Sequence, residues 1–497
     1  MRGSRKTSPF RGRSAVRSGL LTGLSIVTVS GSAAVAGALL AHTFGRDAET
    51  DGILAAYGIY LVLVLAAQAF RLVVVPDLTR AAAEGRLGAE TRAYGWVFLA
   101  FAVPVVAFVA LLAGPLGDAL PGGLPEASAD LAGRALVWLV PAAFLQLFAS
   151  LAASALAAHD SYGVAAAGYA VGGVLGVGLF VVLADEHGLI SLAWGVALNG
   201  AIAFAVPAAA LVAGGHLGGP GGGGPAVVPR LWKLVHGAAV PLALQGLYLI
   251  GLRAAAELGI GAVTSFSYAY LLAATLVAAT ASSLSLISAA PLTRRGLDPQ
   301  AAAEHVVHSS WLSLALIAAA AGVFALVGEG VVAALLGDAY SGEVGRELGR
   351  LVLYLVPWMI ATVAFSVTYP LLFVMERSHR LELLAVVAVA VHVPVTIALR
   401  EAFGLPGIAF ALALTTCGVI AALMVTVSPR MLAVSALGVG RLAIRLALVV
   451  GLSFGVLALL VGGVAAAAAG LALYALLLAA IRPRGLREAW AYVRALH

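Results

Sequence analysis

Charge is scarce in this 497-residue chain: Asp, Glu, Lys and Arg together make up 10%, against about a quarter in a soluble domain. Cysteine is nearly absent. The single Cys417 excludes a disulfide framework and a thiolate metal site within one chain. Lysine occurs only at Lys6 and Lys233. Nowhere is there a stretch of polar sequence long enough to fold as a soluble catalytic domain. The Gly-rich run at 214–224 lacks the strand–turn–helix setting of a phosphate loop and reads as a flexible connection. His159-Asp160 is a lone dipeptide, and no Ser/His/Asp set, carboxylate pair or metal cluster appears. These absences point away from an enzyme, a metal and an organic cofactor.

What is present is apolar. Hydrophobic residues make up 62% of the chain and the mean hydropathy is +1.04. That much apolar surface requires lipid as solvent. Fourteen runs of about twenty apolar residues read as membrane-spanning helices. They lie near 18–41, 53–75, 94–114, 135–157, 162–183, 189–213, 235–257, 263–290, 309–328, 350–374, 381–399, 404–427, 442–461 and 464–481. The basic N-terminus before the first run resembles a signal peptide. The run belongs to the repeat described below and is expected to be retained.

The excess of six basic over acidic residues needs no nucleic-acid partner. With the N-terminus in the cytoplasm, 22 of the 29 Lys and Arg residues fall in cytoplasmic segments. Five, Arg46, Arg134, Arg346, Arg350 and Arg400, fall on the outer side, and two, Arg71 and Arg253, fall inside helices. This bias predicts cytoplasmic N- and C-termini.

An internal repeat sets the architecture. Arg134-Ala-Leu-Val-Trp-Leu-Val-Pro141 resembles Arg350-Leu-Val-Leu-Tyr-Leu-Val-Pro357. Gly188-Leu-Ile-Ser-Leu-Ala-Trp194 resembles Gly404-Leu-Pro-Gly-Ile-Ala-Phe410, at the same offset. Pro76-Asp-Leu-Thr-Arg80 resembles Pro291-Leu-Thr-Arg294 at nearly that offset. A unit of six helices returns the chain to its starting side, so the two units are expected to run parallel, related by a pseudo-two-fold axis along the membrane normal. The expected organisation is a basic tail (1–17), an N-lobe (18–213), a linker (214–234), a C-lobe (235–427), an extra helix pair (428–481) and a basic tail (482–497). Two such lobes leave a cleft, and rocking them gives alternating access. A single chain with both lobes makes a monomer sufficient.

His42-Thr-Phe-Gly45, Glu49-Thr-Asp51 and the apolar run to Tyr57 resemble the helix 1–2 junction of the MviN/MurJ lipid II flippases. Val240-Pro-Leu-Ala-Leu-Gln245, Leu258-Gly-Ile-Gly-Ala-Val-Thr264 and Tyr268-Ala-Tyr270 resemble the start of that family's second lobe. The resemblance implies the fold of the multidrug/oligosaccharidyl-lipid/polysaccharide (MOP) superfamily in a bacterial inner membrane. It further implies transfer of a lipid-linked cell-envelope glycan precursor, with the extra helix pair shaping a groove for the lipid tail. One departure matters. The family carries arginines in its first helices, whereas this chain has none between Arg17 and Arg46; Ala36 and His42 stand about where they are expected. Lipid II and other polyprenyl-linked sugars therefore both stay open as cargo. A multidrug or cation antiporter, or a degenerate scaffold, are the competing readings. The first expects acids within the first-lobe helices, and none is expected there.

Intramembrane polar residues mark candidate sites. Arg71 either snorkels to headgroups or holds an anionic substrate head. Arg253 and Glu257, four apart, are expected to share a helix face as an interfacial pair or a gate. Gln68, Gln245, Asn199 and His392 either bond neighbouring helices or line the cleft; Gln146 and Thr415 are weaker cases. His392 can in addition titrate. Pro141 and Pro357 are expected to bend symmetry-related helices as hinges. With no ATPase segment, transport would draw on the membrane potential or an ion gradient.

Overall fold

The computed structural model describes residues 31–32, 35–120, 125–158, 161–218, 227–295, 299–375 and 380–481. Within helices, the side chains at 65–69, 71–73, 76, 162, 279–295, 373–374 and 481 fall outside this description.

Lipid offers backbone N–H and C=O groups no partner, so long apolar runs must bond internally as helices. Every described run does so, and no strand occurs among the described residues. In chain order the helices are α1 (Val35–Phe44), α2 (Ala48–Ala83), α3 (Leu87–Leu111), α4 (Ala113–Ala119), α5 (Glu126–Ala157), α6 (Tyr162–His187), α7 (Ile190–Ala213), α8 (Val227–Ala256) and α9 (Ala262–Arg295). There follow α10 (Pro299–Leu336), α11 (Gly342–Tyr354), α12 (Val356–Val374), α13 (Leu381–Phe403), α14 (Leu405–Val427), α15 (Pro429–Val450), α16 (Val456–Leu460) and α17 (Gly463–Ile481). Eleven stretches are long and apolar enough to cross a membrane. They match eleven of the expected spans, and α1, α2 and α9 stand at the other three. The chain is an all-α, multi-pass membrane protein.

The helix boundaries reproduce the internal repeat. Glu126 opens α5 and Gly342 opens α11, 216 residues later. The α5 stretch therefore corresponds to α11 and α12 together, α6 to α13, and α7 to α14. The repeat is not uniform. At Pro141, α5 runs on as a single helix. Its counterpart carries a one-residue interruption at Leu355, two residues before Pro357, although the Leu355 backbone stays helical and Gly342–Leu372 still forms one apolar span. The Leu355 N–H turns back to the carbonyls of Leu351 and Leu353, which serves an oxygen that Pro357, lacking an N–H, cannot. Both prolines therefore lie within long apolar helical spans, Pro141 in α5 and Pro357 just after the Leu355 interruption.

Two compact units emerge. One holds the described residues up to Leu39, Ile59–Asp118 and Asp130–Ala238; the other holds Leu40–Gly58, Ala119–Ala129 and the described chain from Ala239. In the first unit, Phe70, Phe98, Phe148 and Phe204 form a chain of ring contacts at 5.8–6.0 Å. Helices α6 and α7 lie close because glycines face each other. A Cβ at Gly176 would stand 2.5 Å from the carbonyl oxygen of Gly195. Small residues allow such approach in lipid, where packing replaces the hydrophobic effect as the force between helices. In the second unit, Tyr248 stacks on Tyr270 at 4.0 Å, and Tyr270 meets Trp358 at 4.8 Å. The C-terminal helices dock on α10: Phe454 sits against Gly322 and Gly470, and the Tyr474 hydroxyl donates to the Ala315 carbonyl at 2.7 Å.

Gly176→Val is expected to lower the unfolding temperature of the detergent-solubilised protein, through an overpacking cost of roughly 1–3 kcal/mol. Gly178→Val, on open surface two residues away, is expected to leave it unchanged.

Candidate functional site

Two acids at the start of α2 serve two different helices. The Asp47 side chain accepts from the Thr50 N–H at 2.8 Å and closes the first turn of α2 itself. Asp51, one turn on, is fully buried and reaches α9, more than 200 residues away in sequence. Its carboxylate accepts from the Gly261 N–H at 2.6 Å, from the Thr264 N–H at 2.8 Å and from the Thr264 hydroxyl. Gly261 precedes the first residue of α9 and Thr264 is in its first turn. Asp51 thus supplies from another helix what a local capping residue usually supplies, and its charge faces the positive end of the α9 dipole.

Gly261 is held from both sides. Its carbonyl accepts from Arg46 Nε at 2.9 Å. Its φ of +83° is a conformation that side-chain-bearing residues avoid, and an added Cβ would stand 2.4 Å from Arg46 Nε. A third element closes the cluster. In the short 3₁₀ turn Asp338–Tyr340 after α10, the Tyr340 hydroxyl donates to the Gly45 carbonyl at 2.8 Å, and its ring meets Tyr268 edge-on at 5.4 Å. Burial pushes the Tyr340 phenol above its ordinary range, so it stays a donor.

Nearby junctions join the same network. Gly52 lies so close to Ser128 that a Cβ would stand 2.3 Å from the Ser128 carbonyl oxygen. Arg253 donates to the Ala119 carbonyl at 2.6 Å, and Arg400 pairs with Glu257. The expected Arg253–Glu257 pair does not form. Helix α8 ends at Ala256, so Glu257 sits in the following turn and leaves the helical register that would align it with Arg253. Every junction in this cluster is one that the charge count assigns to the same membrane face.

A second polar cluster lies in the other unit. Lys233 Nζ donates to both Asp77 oxygens at 2.9 and 2.6 Å, the Tyr94 hydroxyl donates to Asp77 at 2.5 Å, and Arg230 binds Glu90 through two nitrogens at 3.1 and 2.9 Å. Arg230 also lies over the Tyr94 ring. The end of α2, the start of α3 and the start of α8 are thereby tied together.

The remaining candidates are dispersed. His392 is fully buried where α8, α13 and α14 meet: its Nε2 donates to the Leu247 carbonyl at 3.2 Å, and Nδ1 accepts from the Thr415 hydroxyl at 2.9 Å. The Thr396 hydroxyl stands 3.1 Å from Nε2. Gln245 accepts from the Tyr270 hydroxyl at 3.1 Å. Asn199 packs into the α6–α7 contact, its oxygens 2.8 and 2.9 Å from where a Gly172 Cβ would stand. The side chains of Gln68 and Arg71 lie outside the described residues.

Solved structures match this arrangement. A lipid II flippase MurJ in an inward closed conformation aligns over 94% of this chain and 99% of its own, with a TM-score of 0.71 at 13% identity. The chain has the fold of these proteins. An inward-facing multidrug resistance MATE family transporter of the MOP superfamily aligns over 82% of this chain and 95% of its own, at TM-score 0.62 and 13% identity. A MATE transporter of Vibrio cholerae aligns over 84% and 96%, at TM-score 0.59 and 14% identity. No family model and no curated protein matches the sequence.

Arg46, Asp51, Gly261, Thr264 and Tyr340 were not among the residues that the sequence singled out as a site. Asp51 also corrects the expectation of no acid within the first-lobe helices. Helix α2 starts at Ala48, ahead of the apolar run, and takes Asp51 with it. The usable signal was an acid beside an apolar run at one end of the repeat and the Gly-Ile-Gly of 259–261 at the other.

Asp51→Ala strips the Gly261 and Thr264 N–H groups of their acceptor. Each orphaned buried donor costs about 1–3 kcal/mol, so a marked fall in unfolding temperature is expected. Thr264→Val, which removes only the hydroxyl bond, is expected to cost about 1 kcal/mol by the same measurement.

Proposed function

We propose that the chain is a flippase-type transporter that moves a lipid-linked cell-envelope glycan precursor, lipid II or a related polyprenyl-linked saccharide, from the inner to the outer leaflet of a bacterial cytoplasmic membrane. The observation that carries this reading is the fold shared with a lipid II flippase over nearly the whole of both chains. The charge bias supports cytoplasmic termini. A monomer suffices, and energy comes from the membrane potential or an ion gradient rather than from chemistry on the protein.

In this reading the Asp51 cluster is the outer gate. Outward opening would, on this reading, part the α1–α2 junction from the N-terminus of α9, both of which lie in one compact unit. The tie consists of five hydrogen bonds: Arg46 to Gly261, three into Asp51, and Tyr340 to Gly45. At roughly 0.5–1.5 kcal/mol net each, the closed arrangement is favoured by only a few kcal/mol, a gap that a bound substrate or an ion gradient can reverse. The Asp51 carboxylate is fully engaged while the gate is closed, so it acts as a latch and not as a free cation site.

Two measurements test this. Expression in a bacterium depleted of its own lipid II flippase is expected to restore growth. A well-expressed, membrane-inserted protein that fails to do so would remove lipid II as cargo. For the gate, a cysteine is placed at the buried Val263 in a Cys417→Ser background. Maleimide labelling from the outer face is expected to rise several-fold when Asp51→Ala is added. Unchanged labelling in a folded variant would show that the Asp51 bonds do not hold the gate shut.

A further inference from the structure

Helix α15 is longer than its task. Together with the π-helical turn and α16 it forms one apolar stretch, Pro429–Leu460, of 32 residues. At 1.5 Å per residue that is about 48 Å, against roughly 30 Å of bilayer hydrocarbon. The next apolar helix, α17, begins at Gly463, so the turn between Leu460 and Gly463 joins two spans and stands at one membrane surface. Counting back about 20 residues from there puts the opposite hydrocarbon boundary near Arg441.

The surplus turns are amphipathic in a specific way. Met431, Ser435, Leu442, Leu446 and Val449 are buried and form one side of α15, which packs on α10 and α14. On the exposed side, Arg430, Arg441 and Arg445 fall within an arc of about 60° at 3.6 residues per turn. None of the three guanidinium groups has an ion-pair or hydrogen-bond partner among the described residues. Leu437, Ile444 and Leu448, each about 60% exposed, share this face. Arg441 and Arg445, unpaired among the described residues and interleaved with apolar side chains near the level where hydrocarbon meets headgroups, do not suit a protein interface. They suit a surface that is anionic on one side and apolar on the other.

We propose that the outward face of α15 binds an anionic phospholipid. Arg441 and Arg445, one turn apart, hold the headgroup phosphate by charge-assisted hydrogen bonds. Ile444 and Leu448, deeper along the same face, lie against the first part of an acyl chain. Arg430, further out, adds attraction from the surrounding anionic headgroups. The site uses no residue of the Asp51 cluster, so it can be tested apart from the gate.

The test uses the full-length protein in detergent, titrated with phosphatidylglycerol, with phosphatidylcholine and with inorganic phosphate, and followed by thermal unfolding and by native mass spectrometry of retained lipid. Phosphatidylglycerol is expected to bind and stabilise at concentrations where phosphatidylcholine does not. Arg441→Gln with Arg445→Gln is expected to weaken its apparent affinity roughly thirtyfold. Arg441→Lys with Arg445→Lys is expected to keep most of it, and Arg346→Gln, on another exposed segment, all of it. Should the double Gln variant fail to fold, each single variant is expected to show a several-fold weakening. Equal response to the two lipids, or an affinity unchanged in the Gln variants, would overturn the proposal. A matching response to inorganic phosphate would also overturn it, by making the face a free-anion site.

Discussion

Hydrocarbon cannot hydrogen-bond, and the structure depends on that. Each span must satisfy its backbone internally, which it does as a helix, and only the first and last turns are left with orphan groups. The protein's polar chemistry is therefore concentrated at helix ends. Asp47 serves the start of α2 and Asp51 the start of α9. The interruption at Leu355 is managed by bonds to Leu351 and Leu353. Where a polar side chain lies deep in the helices, as His392 does, it has partners on neighbouring helices and not in lipid. A small acid at one helix start can thus reach across the chain and satisfy the first turn of another helix.

The spans were legible because a bilayer imposes a length and a polarity on them and little else. The repeat was legible from short similar segments, and its helix boundaries then fell at the same offset, as Glu126 and Gly342 show. The site was far less legible. Arg253 and Glu257 have helical spacing, but spacing means something only while both residues are in the helix, and α8 ends one residue too soon. The bond partners of Asp51 lie more than 200 residues away, and their geometry depends on the positive φ of Gly261. No local pattern encodes such a pairing. The junctions near Gly45, Ser128, Gly261, Tyr340 and Arg400, which the charge count groups on one face, include the partners of the Asp51 cluster.

The two repeats share a helix plan but have diverged in how they use it. The proline of the first is absorbed within α5, while that of the second follows the Leu355 interruption. The tight α6–α7 pair, built on Gly172, Gly176 and Gly195, has a counterpart in α13 and α14, where Gly407 lies against the Leu399 carbonyl. Close approach of a glycine to a neighbouring carbonyl thus occurs in the corresponding hairpin of both repeats.

The partners of Asp51 bear on what kind of residue it is. A carboxylate that binds a transported cation must leave lone pairs open to it and lose its other partners cheaply. Asp51 accepts two backbone N–H bonds and a hydroxyl bond at a helix N-terminus, where its charge is already balanced by the α9 dipole. Releasing it exposes two backbone donors as well as a charge, so the cost falls on both helices at once. Such a group suits a latch, closed by many weak bonds formed together and opened only when the helices themselves part. Asp51 is the only fully buried carboxylate among the described residues, and its partners are helix-start donors rather than an open cavity.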